Sequence, residues 1–165
     1  MESEDFFNIE ESSILNGLYL ILVLKNKKRT TIDELATALY LYRFPFITKQ
    51  IIDKEEEVHI SNLFSYAELN NLDTMLYPFL LEKYNNRFVS SLKELLAREL
   101  VNVEQDYVYL KKELDLKELL NEEAIIQIDK KFDYIVKIIN SMDYKSLKKK
   151  IEEIVGEKHW KTHSL

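Results

Sequence analysis

His159 and His163 stand four residues apart, the spacing that sets two imidazoles on one helix face and suits a transition-metal ion. No third ligand lies near them, and they follow Gly156 in what reads as a tail, so a solvated pair is expected rather than a metal site. Asp53, Glu55, Glu56 and Glu57 form the second suggestive group, since nucleases hold magnesium with carboxylates. Here the carboxylates are nearly consecutive instead of converging from separate strands, which describes a solvated acidic edge. A small magnesium-dependent nuclease working through Glu56 is the enzymatic alternative. Nucleotide hydrolysis is excluded more firmly. Glycine occurs only at positions 17 and 156, so neither a P-loop nor a dinucleotide fingerprint exists. There is no serine elbow and no cysteine, which removes nucleophilic triads, thiolate metal sites and disulfides. No catalytic, cofactor-binding or metal-binding residue is expected, and the chain is read as a non-enzyme.

The basic residues carry a different chemistry. Lys25, Lys27, Lys28 and Arg29 crowd one turn, Arg87, Lys93 and Arg98 punctuate a later amphipathic stretch, and Lys111 and Lys112 follow it. Such side chains contact DNA phosphates when a fold gathers them on one surface. Glu94 and Glu99 dilute that surface, and a net charge of −6 disfavours nonspecific nucleic-acid binding by the chain as a whole. The run Lys148, Lys149 and Lys150 is followed at once by Glu152 and Glu153, as on a solvated helix with i,i+4 pairs.

The elements that would position these residues follow from periodicity. From Asn86 onward, Phe88, Val89, Leu92, Leu95, Leu96 and Leu100 recur at spacings of three and four, which predicts an amphipathic helix capped by Asn85 or Asn86. The period then shortens. Val101, Val103, Val108 and Leu110 alternate with Asn102, Tyr107 and Tyr109 around Glu104, Gln105 and Asp106, the pattern of a tight hairpin. A helix running into a hairpin is the recognition-helix-and-wing end of a winged-helix unit. Upstream, Ser12 or Ser13 caps a helix reaching Lys25, with Ile14, Leu15, Leu18, Ile21 and Leu22 on its buried side. Thr31 and Glu34 then form a capping box that opens a second helix from Ile32 to about Tyr42. Between Pro45 and Tyr84 the reading is a short helix over Ile47 to Asp53, a short strand at Val58, His59 and Ile60, and a helix from Leu69 to Tyr84. Downstream come a short helix over Leu114 to Leu120, a long one from Glu122 to Ser141, and a last one from Tyr144 to Val155 that Gly156 terminates. On the long helix Phe132, Ile135 and Ile139 lie in an unbroken apolar stripe, and with Trp160 they are the candidate partner interface.

A chain of 165 residues with 46% hydrophobic content can bury a real core, and only two glycines and two prolines favour a mostly helical fold. The class expected is mainly α with a small β-hairpin: a winged-helix-like domain with a helical insertion over 1–113, and a helical extension over 114–165 packed on it. The acidic start lacks the order of a signal peptide, and the apolar stretch Ile14 to Leu24 is too short to span a bilayer, so a cytoplasmic protein away from membranes is expected.

SILNGLYLILVLKNKKRTTIDELATALYLYRFPF followed by FVSSLKELLARELVNVEQDYVYLKK is similar to the small middle components of bacterial three-component ABC, SMC-like ATPase systems, the group that includes the small Lamassu subunit. The resemblance covers the first two thirds and lies in the order of elements. It implies a non-catalytic accessory subunit in antiphage defence that docks on an SMC-like ATPase, helps it hold DNA and regulates an effector subunit. The alternative is a winged-helix transcription regulator that binds operator DNA as a homodimer.

Overall fold

The computed structural model describes residues 12–70, 86–111 and 116–163, with side chains followed to residue 156. The architecture is mainly α-helical with one small antiparallel sheet.

Helix α1 (Ser13–Asn26) is capped by the Ser12 hydroxyl, which accepts from the Leu15 N–H. Its apolar residues run almost without interruption, and the consequence is a helix buried on nearly every side: Tyr19 to Leu24 are all in the core, while Ile14, expected inside, is 74% exposed. Strand β1 (Thr30–Thr31) follows and leads directly into α2 (Ile32–Arg43). The capping box forms as its residues dictate: Thr31 Oγ accepts from the Glu34 N–H, and the Glu34 carboxylate accepts from the Thr31 N–H. Phe44 ends α2 because Pro45 cannot continue it, and that proline instead begins α3 (Pro45–Ile51).

A 3-10 turn at Lys54–Glu56 opens into α4 (Glu57–Leu63), where a strand at Val58, His59 and Ile60 was expected. Helix wins because among the described residues no strand lies beside it to pair with, and Glu55, Glu56 and Glu57 favour a helix N-terminus. Only Ile60 of these three is buried, and Val58 is 72% exposed. Helix α5 (Tyr66–Leu69) is a single turn held by a Ser65 and Glu68 capping box. The expected helix with Leu72, Met75, Leu76, Phe79, Leu80 and Tyr84 falls outside the described residues beyond position 70.

Helix α6 (Asn86–Ala97) buries Phe88, Ser91 and Leu95. It leaves Leu96, expected on the inner face, 39% exposed. The α6 end is a Schellman motif, with the Leu100 N–H on the Leu95 carbonyl and the Glu99 N–H on the Leu96 carbonyl, and Glu99 sits at φ 58°. The hairpin β2 (Val101–Glu104) and β3 (Tyr107–Leu110) follows at once, joined by Gln105 and Asp106. Strand β1, which periodicity had not revealed, pairs with β3 through Thr30 opposite Val108, so the sheet order is β1-β3-β2. A strand between the first two helices, added to a hairpin after the last helix of the unit, is winged-helix topology.

A 3-10 turn at Leu119–Asn121 stands where part of the Leu114 to Leu120 helix was expected. Helix α7 (Glu123–Ser141) then lies across α1 and α2 and drives Phe132 between Tyr19 and Tyr42, with ring centroids 5.7 Å and 4.5 Å away. Helix α8 (Tyr144–His163) packs Leu147 and Ile151 into the core and continues through Gly156 instead of stopping there. Gly156 has ordinary helical dihedrals, since no glycine takes a positive φ. The core is therefore continuous from α1 to α8.

Candidate interaction surfaces

Helix α6 packs on α1 through a close approach, in which the Leu95 Cδ2 lies 3.5 Å from where a Cβ on Gly17 would stand. Ser13 Oγ donates to the Glu94 carboxylate at 3.0 Å and ties the start of α1 to the same helix. What α6 then offers outward is mixed. Lys93 stands exposed, but Arg98 folds back on Glu94, donating from Nε at 3.0 Å and from Nη2 at 2.8 Å. The Arg98 guanidinium and the Ser13 hydroxyl hold the Glu94 carboxyl below its usual range.

The other candidate phosphate contacts are largely engaged within the chain. Lys25 Nζ reaches Asp129 of α7 at 2.6 Å, and Asn26 Nδ2 donates to the same carboxylate at 2.9 Å. Lys27 Nζ reaches Glu34 at 2.7 Å, and Lys111 lies 3.7 Å from Glu99. Arg29 stacks its guanidinium 3.9 Å from the centre of the Tyr107 ring, a cation–π contact on the outer face of the sheet. Arg87 is half-buried at the start of α6, where its carbonyl accepts from Ser91 Oγ at 2.6 Å. Lys28 is exposed, and Lys112 lies outside the described residues. The fold thus brings Lys25, Lys27 and Arg29 near one another but surrounds them with Asp129, Glu34 and Tyr107.

The wing is short and acidic. Its tip is Gln105 and Asp106, flanked by Glu104, and the Asp106 carbonyl accepts from the Ile32 N–H at 3.0 Å. That bond fastens the tip to the first turn of α2 rather than leaving it to reach outward. Tyr109, on the same outer face as Tyr107, is held protonated to higher pH by its hydrogen bond to Glu104.

The expected partner stripe is corrected by its burial. Phe132 and Ile135 are fully buried and Ile139 is 4% exposed, all inside this chain's own core. An unbroken apolar stripe at helical spacing marks burial without saying against what, and here α1 and α2 cover it. The Trp160 side chain, with those of His159 and His163, falls outside the described residues, though the helix carrying them runs to His163.

A cleft of about 480 Å³, whose lining spacing did not disclose, opens where the turn after α3 faces α7 and α8. Asp53 and Glu56 line it from the turn after α3, and Lys137 and Lys150 from α7 and α8. Tyr134 Oη donates to Glu56 at 3.5 Å, and its ring packs on His59 with centroids 5.0 Å apart. Burial first, and then the Glu56 carboxylate, push the Tyr134 phenol up to about 12. One sequence signal pointed to this place. Lys148 and Lys149 have glutamates four residues on, at 3.9 Å and 3.8 Å, whereas Lys150 has Ile154 in that position. Asp53, Glu55, Glu56 and Glu57 remain an exposed acidic edge, and among the described residues no three histidine or carboxylate side chains converge as a metal ion would need.

No protein-family model, curated protein or solved structure matches this chain. Among the described residues no helix is long and apolar enough to cross a membrane.

Proposed function

We propose that this chain is a non-catalytic winged-helix subunit that works through protein contacts inside a larger assembly, and that an SMC-like ATPase of the kind suggested by its element order is the partner on which it docks. In that assembly it helps the ATPase hold DNA and relays the state of the complex to an effector in antiphage defence. One observation carries the reading: most of the side chains that would make a winged helix a DNA reader are spent on internal partners. Lys25, Lys27, Arg98 and Lys111 each face a carboxylate, and the wing tip is acidic and tied to α2. A cation already paired must break that pair to release a phosphate counterion, so each contact gains less than the usual amount.

The winged-helix topology is what favours the second reading, an operator-binding regulator acting as a dimer. The two part cleanly in one experiment. The gene is co-expressed with its neighbours, the chain is pulled down, and the mass of the complex is measured. Recovery with a large ATPase in a defined ratio supports the subunit; recovery of a lone monomer opposes it. A homodimer that binds a short duplex with steep salt dependence favours the regulator.

A further inference from the structure

The cleft between the turn after α3 and helices α7 and α8 is not part of the winged-helix unit and is not spent on internal packing. Its lining carries opposite charges from different elements: Asp53 and Glu56 from the turn after α3, Lys137 from α7 and Lys150 from α8. Lys137 is paired along its own helix with Asp133 at 2.7 Å, and among the described residues no ion pair crosses the cleft. Beside the charged residues and His59, Tyr134 and Ser141, the lining is apolar, from Ile52, Ile138 and Met142 among others. The volume, about 480 Å³, lies in the range of a site for a small ligand or a few residues of peptide.

We propose that this cleft grips a short segment of a partner polypeptide, one aliphatic side chain flanked by a basic residue on one side and an acidic residue on the other. The assignment rests on the interaction-subunit reading and names the chemistry of one contact it requires. Charge complementarity selects the occupant. A phosphate or nucleotide would meet Asp53 and Glu56, and a purely basic segment would meet Lys137 and Lys150. A free α-amino acid carries both charges on one carbon, while the cleft presents its own on separate elements. Tyr134 holds the acidic wall in place by donating to Glu56, and His59 packs behind it. The aliphatic residue of the segment covers Ile138 and Met142, which removes apolar surface from water.

The test uses the full chain, 15N-labelled, titrated with three end-blocked tripeptides: Lys-Leu-Glu, Lys-Leu-Lys and Glu-Leu-Glu. The mixed-charge peptide is expected to saturate, with a dissociation constant on the order of a millimolar, and to shift the amides of Glu56, His59, Tyr134 and Lys150. The two like-charged peptides are expected to shift them little. Lys150→Glu, at an exposed position, should weaken Lys-Leu-Glu by about fivefold and turn the preference toward Lys-Leu-Lys, with the circular dichroism unchanged. Equal response to all three peptides, no response, or binding only when the peptide ends are unblocked would overturn the assignment. The co-expression result is independent of this one: a complex that forms while every peptide fails leaves the subunit reading standing and removes the cleft from it.

Discussion

Glu99 and Gln105 hold left-handed backbone, at φ 58° and 56°, in a chain whose only glycines lie elsewhere. A side chain with a Cβ costs roughly 1–2 kcal/mol in that region, against roughly 0.5–1 kcal/mol that glycine loses in unfolded-state entropy. Glu99→Gly and Gln105→Gly are each expected to raise stability by about 0.5–1 kcal/mol, read from urea midpoints at unchanged slope. Loss of stability at either site would show that the side chain contributes more than the strain it carries, at Glu99 through Lys111. The reverse substitution suits Gly156, which sits inside α8 with open space where a Cβ would stand. Gly156→Ala should add up to about 1 kcal/mol and increase helical circular dichroism. Glu34 carries the pH dependence at this scale. Burial opposes its ionisation, but hydrogen bonds from Lys27 and from the Thr31 N–H outweigh burial and leave its carboxyl below the ordinary 4.5. A depressed folded-state value means that its contribution is complete above that pH and is lost as pH falls through the lower, folded value. Glu34→Gln should therefore lower stability at neutral pH and make the fall of stability below pH 4.5 shallower, as followed by denaturant titration at several pH values.

At the scale of elements, α7 shows why an apolar stripe is ambiguous. Phe132 stacks on Tyr42 at 4.5 Å and is fully buried, so Phe132→Ala should cost about 3–5 kcal/mol and lower the thermal midpoint of the isolated chain. An interface residue would instead leave that midpoint unchanged and weaken only a complex. Helix α1 is the converse case. Its near-continuous apolar run means burial on all sides, which requires α2, α6 and α7 to surround it, and Gly17 gives α6 its close approach. The wing is ordered by a bond outside itself, from the Ile32 N–H to the Asp106 carbonyl, so the first turn of α2 and the hairpin tip form one unit.

At the scale of the whole molecule, the distribution of charge limits the positive surface that the described residues offer to DNA. Basic and acidic side chains interleave closely, and among the described cations proposed to meet DNA, Lys28, Arg29 and Lys93 are exposed, with Arg29 lying over the Tyr107 ring. The purified chain is expected to bind a short duplex weakly, with a log–log salt slope no steeper than roughly −3, given about −0.9 per phosphate neutralised. A slope of roughly −5 or beyond, measured by fluorescence anisotropy across a salt series, would restore the DNA-reading surface. If the proposed subunit role holds, the α3–α7–α8 cleft is a charged place for a protein contact.

Local chemistry was written plainly in the chain. Thr31 and Glu34 cap α2 because their side chains reach backbone groups three residues away, and the helix-to-strand change after Leu100 needs only neighbours in sequence. Those short-range facts pointed to most of the described elements and to a mainly α class with a hairpin. The tertiary structure decided what no periodicity encodes, namely which groups meet across long separations. Thr30 becomes a strand only because Val108 lies beside it, and Val58 to Ile60, which no strand among the described residues adjoins, form a helix instead. Lys25 ceases to be a free cation because Asp129 arrives from α7, and Tyr134 joins a cleft because Glu56 does. Burial and charge pairing depend on the partner as much as on the residue, and that partner is supplied by the fold.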